Sequence, residues 1–125
     1  MVLSDSLRIA RLQALADAMA GGTLTLYTAP QPATGAAITT QAALVALSIP
    51  SGLTVSTPTL PLTLASTGIS TSGDAAWGRI TSSSHAFVLD GDCGLVTSSA
   101  LFRLKFITLT ATGNLNTVIS TFSEA

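Results

Sequence analysis

Apolar positions recur at helical spacing over the first twenty residues and at every second residue from Thr23 onward. Leu7, Ala10, Ala14, Leu15, Ala18 and Met19 share one side of a helical projection, and Ile9, Leu12 and Ala16 mark a second apolar stripe. The pattern predicts a helix over 4–20. Ser4 or Ser6 serves as N-cap, Asp5 lies favourably near the positive helix end, and Gly21 and Gly22 supply the stop. Arg8 and Arg11 lie one turn apart on the more polar side. A short helix that is apolar on two sides predicts either contact with its own sheet and a neighbour's surface, or a place deep in a core.

Thr23 to Thr28 alternates as a strand, which Ala29-Pro30-Gln31-Pro32 breaks into a loop. Ile38 to Ile49 is ambiguous, because Gln41 to Leu47 suits a short helix or a buried strand equally. Leu53 to Ile69, with Pro58 and Pro61, predicts short edge-like strands, since proline cannot donate to a central ladder. Ala75–Thr81 and His85–Asp90 flank Ser82-Ser83-Ser84 and predict a β-hairpin. Asp90-Gly91-Asp92 is read as a further turn, because Asp and Gly tolerate positive φ. Leu101 to Thr110 is the clearest amphipathic strand, with Phe102, Leu104 and Phe106 on one face and Arg103 and Lys105 on the other. Thr117 to Phe122 is expected as the last strand. The expected fold is therefore mainly β, an antiparallel β-sandwich or jelly-roll-like domain with an N-terminal α-helix. Residues 1–22 form the helix, a candidate docking element, and 23–125 a single β domain.

Composition sharpens this picture. The chain has 125 residues, enough for one domain. Charged residues are only 9%, against a usual level of about 25%. No charge lies between Asp17 and Asp74. Ser and Thr supply the polarity instead, 15 and 19 residues respectively. Charge of both signs normally keeps small domains apart, and its depletion marks the buried centre of interfaces. A homo-oligomer or lattice component is therefore expected. A net charge of −1 provides no basic field for nucleic acid. No stretch reaches ~18 apolar residues, so no membrane-spanning helix is expected. Asp5, Arg8 and Arg11 argue against a secretory signal, which points to synthesis in the cytoplasm.

The candidate chemistry is thin. His85 is the single histidine, beside three serines and with no G-x-S-x-G elbow, and is read as a turn or strand-end residue. Asp90 and Asp92 lack the further oxygen ligands of a calcium loop. One Cys and one His make no zinc site. Cys93 is read as a small buried hydrophobe. Tyr27, Trp77 and the four Phe are scattered and read as core. No catalytic residue, metal or cofactor is expected.

Five segments carry a resemblance. They are Leu7-Arg8-Ile9-Ala10-Arg11-Leu12-Gln13-Ala14-Leu15, the run Leu24 to Ala33, Ile38-Thr39-Thr40-Gln41, Trp77-Gly78-Arg79-Ile80 and Leu89-Asp90-Gly91-Asp92-Cys93-Gly94. Their order resembles a family of small phage and prophage proteins. That family has an R-x-x-R-L helix, an L-x-L-Y-x-x-P-x-P strand and loop, a W-x-R-I strand and a D-G turn before a final β pair. Gly78 departs from the pattern where a bulkier residue is expected, and suggests a bulge or a close contact. The resemblance implies a virion structural protein and no catalytic residues. Together with the charge-poor composition it points to a capsid decoration or cement subunit, with a neck, collar or tail component as the alternative. The major capsid protein is the expected partner, and the virion the expected location. A receptor- or glycan-binding module is the reading from another class, and would need Trp77 or Tyr27 exposed. The candidate assembly contacts are Leu7, Arg8, Arg11, Leu12, Leu15 and Met19.

Overall fold

The helix begins and ends where its caps dictate. The structure, a computed structural model, describes residues 4–123 and, of these, the side chains of all but 65–67, 114–116 and 123. Helix α1 spans Asp5–Met19, and the Ser4 side chain accepts the Leu7 amide at 3.2 Å. Gly21, at φ +71°, ends the helix and sends the chain into strand β1 (Thr23–Tyr27). Of the two apolar stripes, the one through Leu12 and Ala16 faces inward, joined by Met19 and, half-buried, Ile9 and Leu15. Leu7, Ala10, Ala14 and Ala18 face outward.

The ambiguous segment is a strand, β2 (Ala43–Ser48), antiparallel to β1. The pairing jumps from Leu26↔Val45 to Tyr27↔Ala43, which leaves Leu44 as the extra residue of a bulge. The bulge lets Leu44 and Val45 both be buried, and this broken alternation is why periodicity alone did not decide.

The short strands expected over 53–69 are instead one ten-residue strand, β3 (Thr59–Gly68), with Leu60, Leu62 and Leu64 turned inward. It lies at an end of the sheet, where Pro61 is tolerated because an edge residue can turn its amide position away from the ladder. The remaining strands are β4 (Gly73–Asp74), β5 (Trp77–Thr81), β6 (Phe87–Leu95), β7 (Phe102–Leu104), β8 (Thr108–Leu109) and β9 (Asn114–Ser123). The main sheet runs β2-β1-β5-β6-β7-β9-β3, and β4 pairs only with β8.

The chain is thus mainly β with one N-terminal helix. The sheet is mixed, not antiparallel throughout, because β6 and β7 run parallel. Parallel neighbours usually need a long crossover, and here residues 96–101 suffice. Two side chains hold that tight return. Asp92 Oδ1 accepts the Leu101 amide at 2.9 Å, and Ser98 Oγ donates to the Leu95 carbonyl at 2.7 Å. Asp90-Gly91-Asp92, expected to be a turn, therefore lies inside β6. Its glycine serves the close approach of Leu101 and Phe102 rather than a positive φ. Gly78 likewise marks a close contact: a Cβ there would stand 3.0 Å from Leu24, Leu26 and Phe102 side-chain atoms.

The sheet curls until its end strands, β2 and β3, lie against each other. At one end of this seam the Ser70 amide and hydroxyl both donate to the Leu44 carbonyl, at 2.9 and 3.0 Å. Near α1, Gln13 links the helix to the segment between β2 and β3. Its Nε2 donates to the Leu53 carbonyl at 3.0 Å, and its Oε1 accepts the Val55 amide at 2.9 Å. One hydrophobic cluster fills the interior, drawing Leu12, Ala16 and Met19 from α1 together with residues from β1, β2, β3, β5, β7 and β9, while Val88, Leu89 and Cys93 of β6 pack half-buried against it. The boundary at 22/23 therefore separates secondary-structure types, while the core is shared across it.

Candidate functional site

Alternation along β5 sends Gly78 and Ile80 into the core and turns Trp77 and Arg79 to the outer face of the sheet. There the segment 28–42 crosses over them. Trp77 is fully buried by this strap. Its ring stacks on Tyr27 at 4.6 Å between centroids, and its Nε1 donates to the Thr28 carbonyl at 2.9 Å. The Arg79 guanidinium sits 5.4 Å from the Trp77 ring centroid and 5.3 Å from that of Phe87. It grips Asp90, directly across β6, with two bonds of 2.7 and 3.0 Å. The strap completes the cluster. Arg79 also donates to the Ala36 carbonyl at 2.8 Å, and the Gly35 amide donates to Asp90 at 3.1 Å.

Burial pushes the Asp90 carboxyl up, but hydrogen bonds from Arg79 and the Gly35 amide outweigh it and hold the group below the ordinary carboxylate range. The hydrogen bond to Asp90 raises Arg79 in turn, against the opposing effect of burial. The Asp90 side chain is 1% exposed and its oxygens are engaged. This is a fastener for the strap, with no open face toward a substrate.

The remaining candidates for chemistry are dispersed. His85 is exposed in the β5–β6 turn at φ +66°, with its amide bonded to the Ser82 carbonyl at 2.9 Å. Ser82 Oγ bonds Ser84 Oγ at 3.0 Å and accepts the Ala86 amide at 3.2 Å, so these serines shape the turn. Among the described residues, no group of three or more His, Cys, Asp or Glu could hold a metal. No described helix is long and apolar enough to cross a membrane. Cys93 is half-buried, and burial followed by the charge of Asp92 pushes its thiol up to about 12. Trp77, one of the two rings that could serve a glycan platform, is sealed inside, and Tyr27, the other, is half-buried.

The six candidate assembly contacts separate into two groups. Leu12 and Met19 are 2% and 0% exposed and belong to the chain's own core, so they are corrected as surface contacts. Leu15 is half-buried against the same core. Leu7 and Arg11 are exposed and Arg8 half-buried, with Arg8 3.6 Å from Asp5. The helix carries two apolar stripes with polar residues distributed between them, and that pattern alone does not choose the inward side.

Sequence reasoning missed the largest exposed apolar side chains other than Leu7. These are Phe87, Leu95, Val96, Phe106 and Ile119. Phe106 was expected to share a buried face with Phe102 and Leu104. The chain instead bends after Leu104, the alternation is lost, and Phe106 is 60% exposed. No known protein family, curated protein or solved structure matches the chain.

Proposed function

We propose that this chain is a non-enzymatic virion structural subunit, a capsid decoration or cement protein that binds the major capsid protein and stabilises the head lattice. The observation that carries this reading is its surface. Leu7, Phe87, Leu95, Val96, Phe106 and Ile119 are exposed on a chain with only 9% charged residues. Such a surface is poorly suited to a free monomer and well suited to repeated subunit contact. Apolar burial contributes roughly 25 cal/mol per Å², less the cost of ordering, so each contact is weak. Symmetry multiplies it. The order of phage-like motifs and the small β domain point the same way. On this reading the protein is made in the bacterial cytoplasm and ends in the virion.

The test is a count of this chain against the major capsid protein in purified particles, by quantitative mass spectrometry. A ratio on the order of one to one supports a place on the head lattice. A handful of copies moves the protein to the neck, collar or tail. Absence from particles removes the structural reading. Deleting α1 cannot serve as a docking test, because Leu12, Ala16 and Met19 would leave the core with it. Leu7→Glu, on the exposed side, tests docking without that loss.

A further inference from the structure

After Leu104 the chain leaves the main sheet and displays Lys105 and Phe106 before entering β8. Asp74 pairs with Thr108, and the Ala75 amide donates to the Ile107 carbonyl at 2.8 Å, so 74–75 runs alongside 107–108. On this small ribbon Ala75 and Leu109 are buried, while Asp74, Phe106 and Thr108 face outward. The Lys105 ammonium lies 5.7 Å from the Phe106 ring centroid. The Val96 amide bonds the Leu104 carbonyl at 2.9 Å, which brings exposed Val96 and its neighbour Leu95 to the same end of the sheet. The result is an apolar patch carrying one cation and one anion.

Those two charges differ from the rest. Asp5 faces Arg8, Asp17 takes a bond from Gln13, Arg79 grips Asp90, Asp92 holds the Leu101 amide, Arg103 donates to Thr121, and Arg11 is also engaged. Among the described charged residues, Asp74 and Lys105 alone have side chains with no hydrogen bond or ion pair within the chain. Lys105 adjoins Phe106 along the chain, Asp74 lies opposite Thr108 two residues further on, and the two charges do not pair with each other.

We propose that this patch is the docking surface for a second copy of the same chain, related by a two-fold axis. Phe106 packs on the apolar patch of the second copy, and Lys105 of each copy faces Asp74 of the other. A patch with one charge of each sign about an apolar centre is complementary to itself after a half-turn, which is the requirement of an isologous interface. Three large apolar side chains are few beside the ~800 Å² per partner of a standard interface, so the pairing is weak. It is a property of the isolated chain, separate from incorporation into a particle, and its failure would leave the virion reading standing.

Sedimentation velocity on the purified chain, from ~10 μM to ~1 mM, tests it. The expected result is a concentration-dependent monomer–dimer equilibrium. Lys105→Asp and Asp74→Lys, each alone, lower association by about tenfold or more, because like charges then face each other. An equimolar mixture of the two variants restores it, because a heterodimer again sets opposite charges together. Phe106→Ser also weakens it. Circular dichroism confirms that each variant is folded; one that is not is replaced by Lys105→Glu or Asp74→Arg. A monomeric wild type across the range overturns the proposal and assigns the patch to a foreign partner. A dimer insensitive to both charge reversals, or a mixture no better than its components, overturns it as well.

Discussion

Gly78 and Gly91 stand opposite one another across β5 and β6, and the Phe102 ring lies over the pair where two Cβ atoms would otherwise project. A Cβ at Gly78 would be 3.0 Å from Leu24 Cδ1, Leu26 Cδ2 and Phe102 Cδ2. One at Gly91 would run into Leu101 Cδ2 and stand 3.1 Å from Leu101 Cβ and Phe102 Cε2. Gly78→Ala and Gly91→Ala should each destabilise by about 1–3 kcal/mol through overpacking. Phe102→Leu should relieve part of the Gly78→Ala cost, giving a coupling of about 0.5 kcal/mol or more in a double-mutant cycle. Urea unfolding of the four proteins measures it. Strict additivity would mean that the ring does not fill the notch.

Gln13 should behave as a structural hinge pin. It satisfies Leu53 and Val55 with one amide, much as a neighbouring strand would. Gln13→Leu should cost about 1–3 kcal/mol, because two backbone groups lose their partner. Hydrogen exchange gives the sharper readout. The Val55 amide should lose protection, while those of β1, β5 and β6 keep theirs.

The parts of the fold legible in sequence were those governed by neighbours along the chain. Ser4 and Gly21 bounded α1, Leu24 and Leu26 alternated through β1, and the three serines marked the β5–β6 turn. What was not legible depended on contacts distant in sequence. The parallel β6–β7 pair rests on Asp92 reaching Leu101 and on Gly91 yielding to Phe102, and locally Asp90-Gly91-Asp92 looks like a turn. The Leu44 bulge hid β2 behind a pattern that suits helix or strand. The Arg79 fastener needs Asp90 from one strand and Ala36 from a loop, so no single segment announces it. Phe106 departs from the pattern because alternation ends at the bend after Leu104, which nothing in the local sequence marks.

Asp90→Asn should separate the strap from the sheet at neutral pH. Removing one charge of a buried, hydrogen-bonded pair costs about 3 kcal/mol, and Asp90 is 1% exposed in such a pair. Arg79→Lys should not preserve it, because an ammonium cannot span both carboxylate oxygens and the Ala36 carbonyl. The pH dependence has a definite sign. The folded Asp90 carboxyl lies below its unfolded value, so the folded state binds the proton less readily. Its contribution is complete above the unfolded value and is lost as pH falls through the folded one. Wild-type stability should therefore fall more steeply than that of Asp90→Asn as pH falls through and below the ordinary carboxylate range. Parallel acid limbs in urea titrations would mean that the pair does not hold in solution.

Cys93 should be chemically quiet in the native protein. Burial, followed by the charge of Asp92, pushes its thiol up to about 12, and a bond with the Gly94 amide opposes this only in part. The thiolate is the reactive form, so at about pH 8 a thiol of this kind is ionised to only roughly one part in ten thousand. Labelling by a disulfide reagent should therefore be slow in buffer, fast in denaturant, and in the native state limited by opening of β6. The alkaline limb follows from the same shift. An unfolded thiol ionises near its free value of about 8.5, while the folded one keeps its proton to about 12. Between these values the unfolded chain binds fewer protons, so this group's effect is to lower stability as pH rises. Cys93→Ala removes that effect and should flatten the decline above about pH 9 relative to wild type. Rapid labelling of the native protein at about pH 8 would place the thiol in water and remove the basis for both expectations.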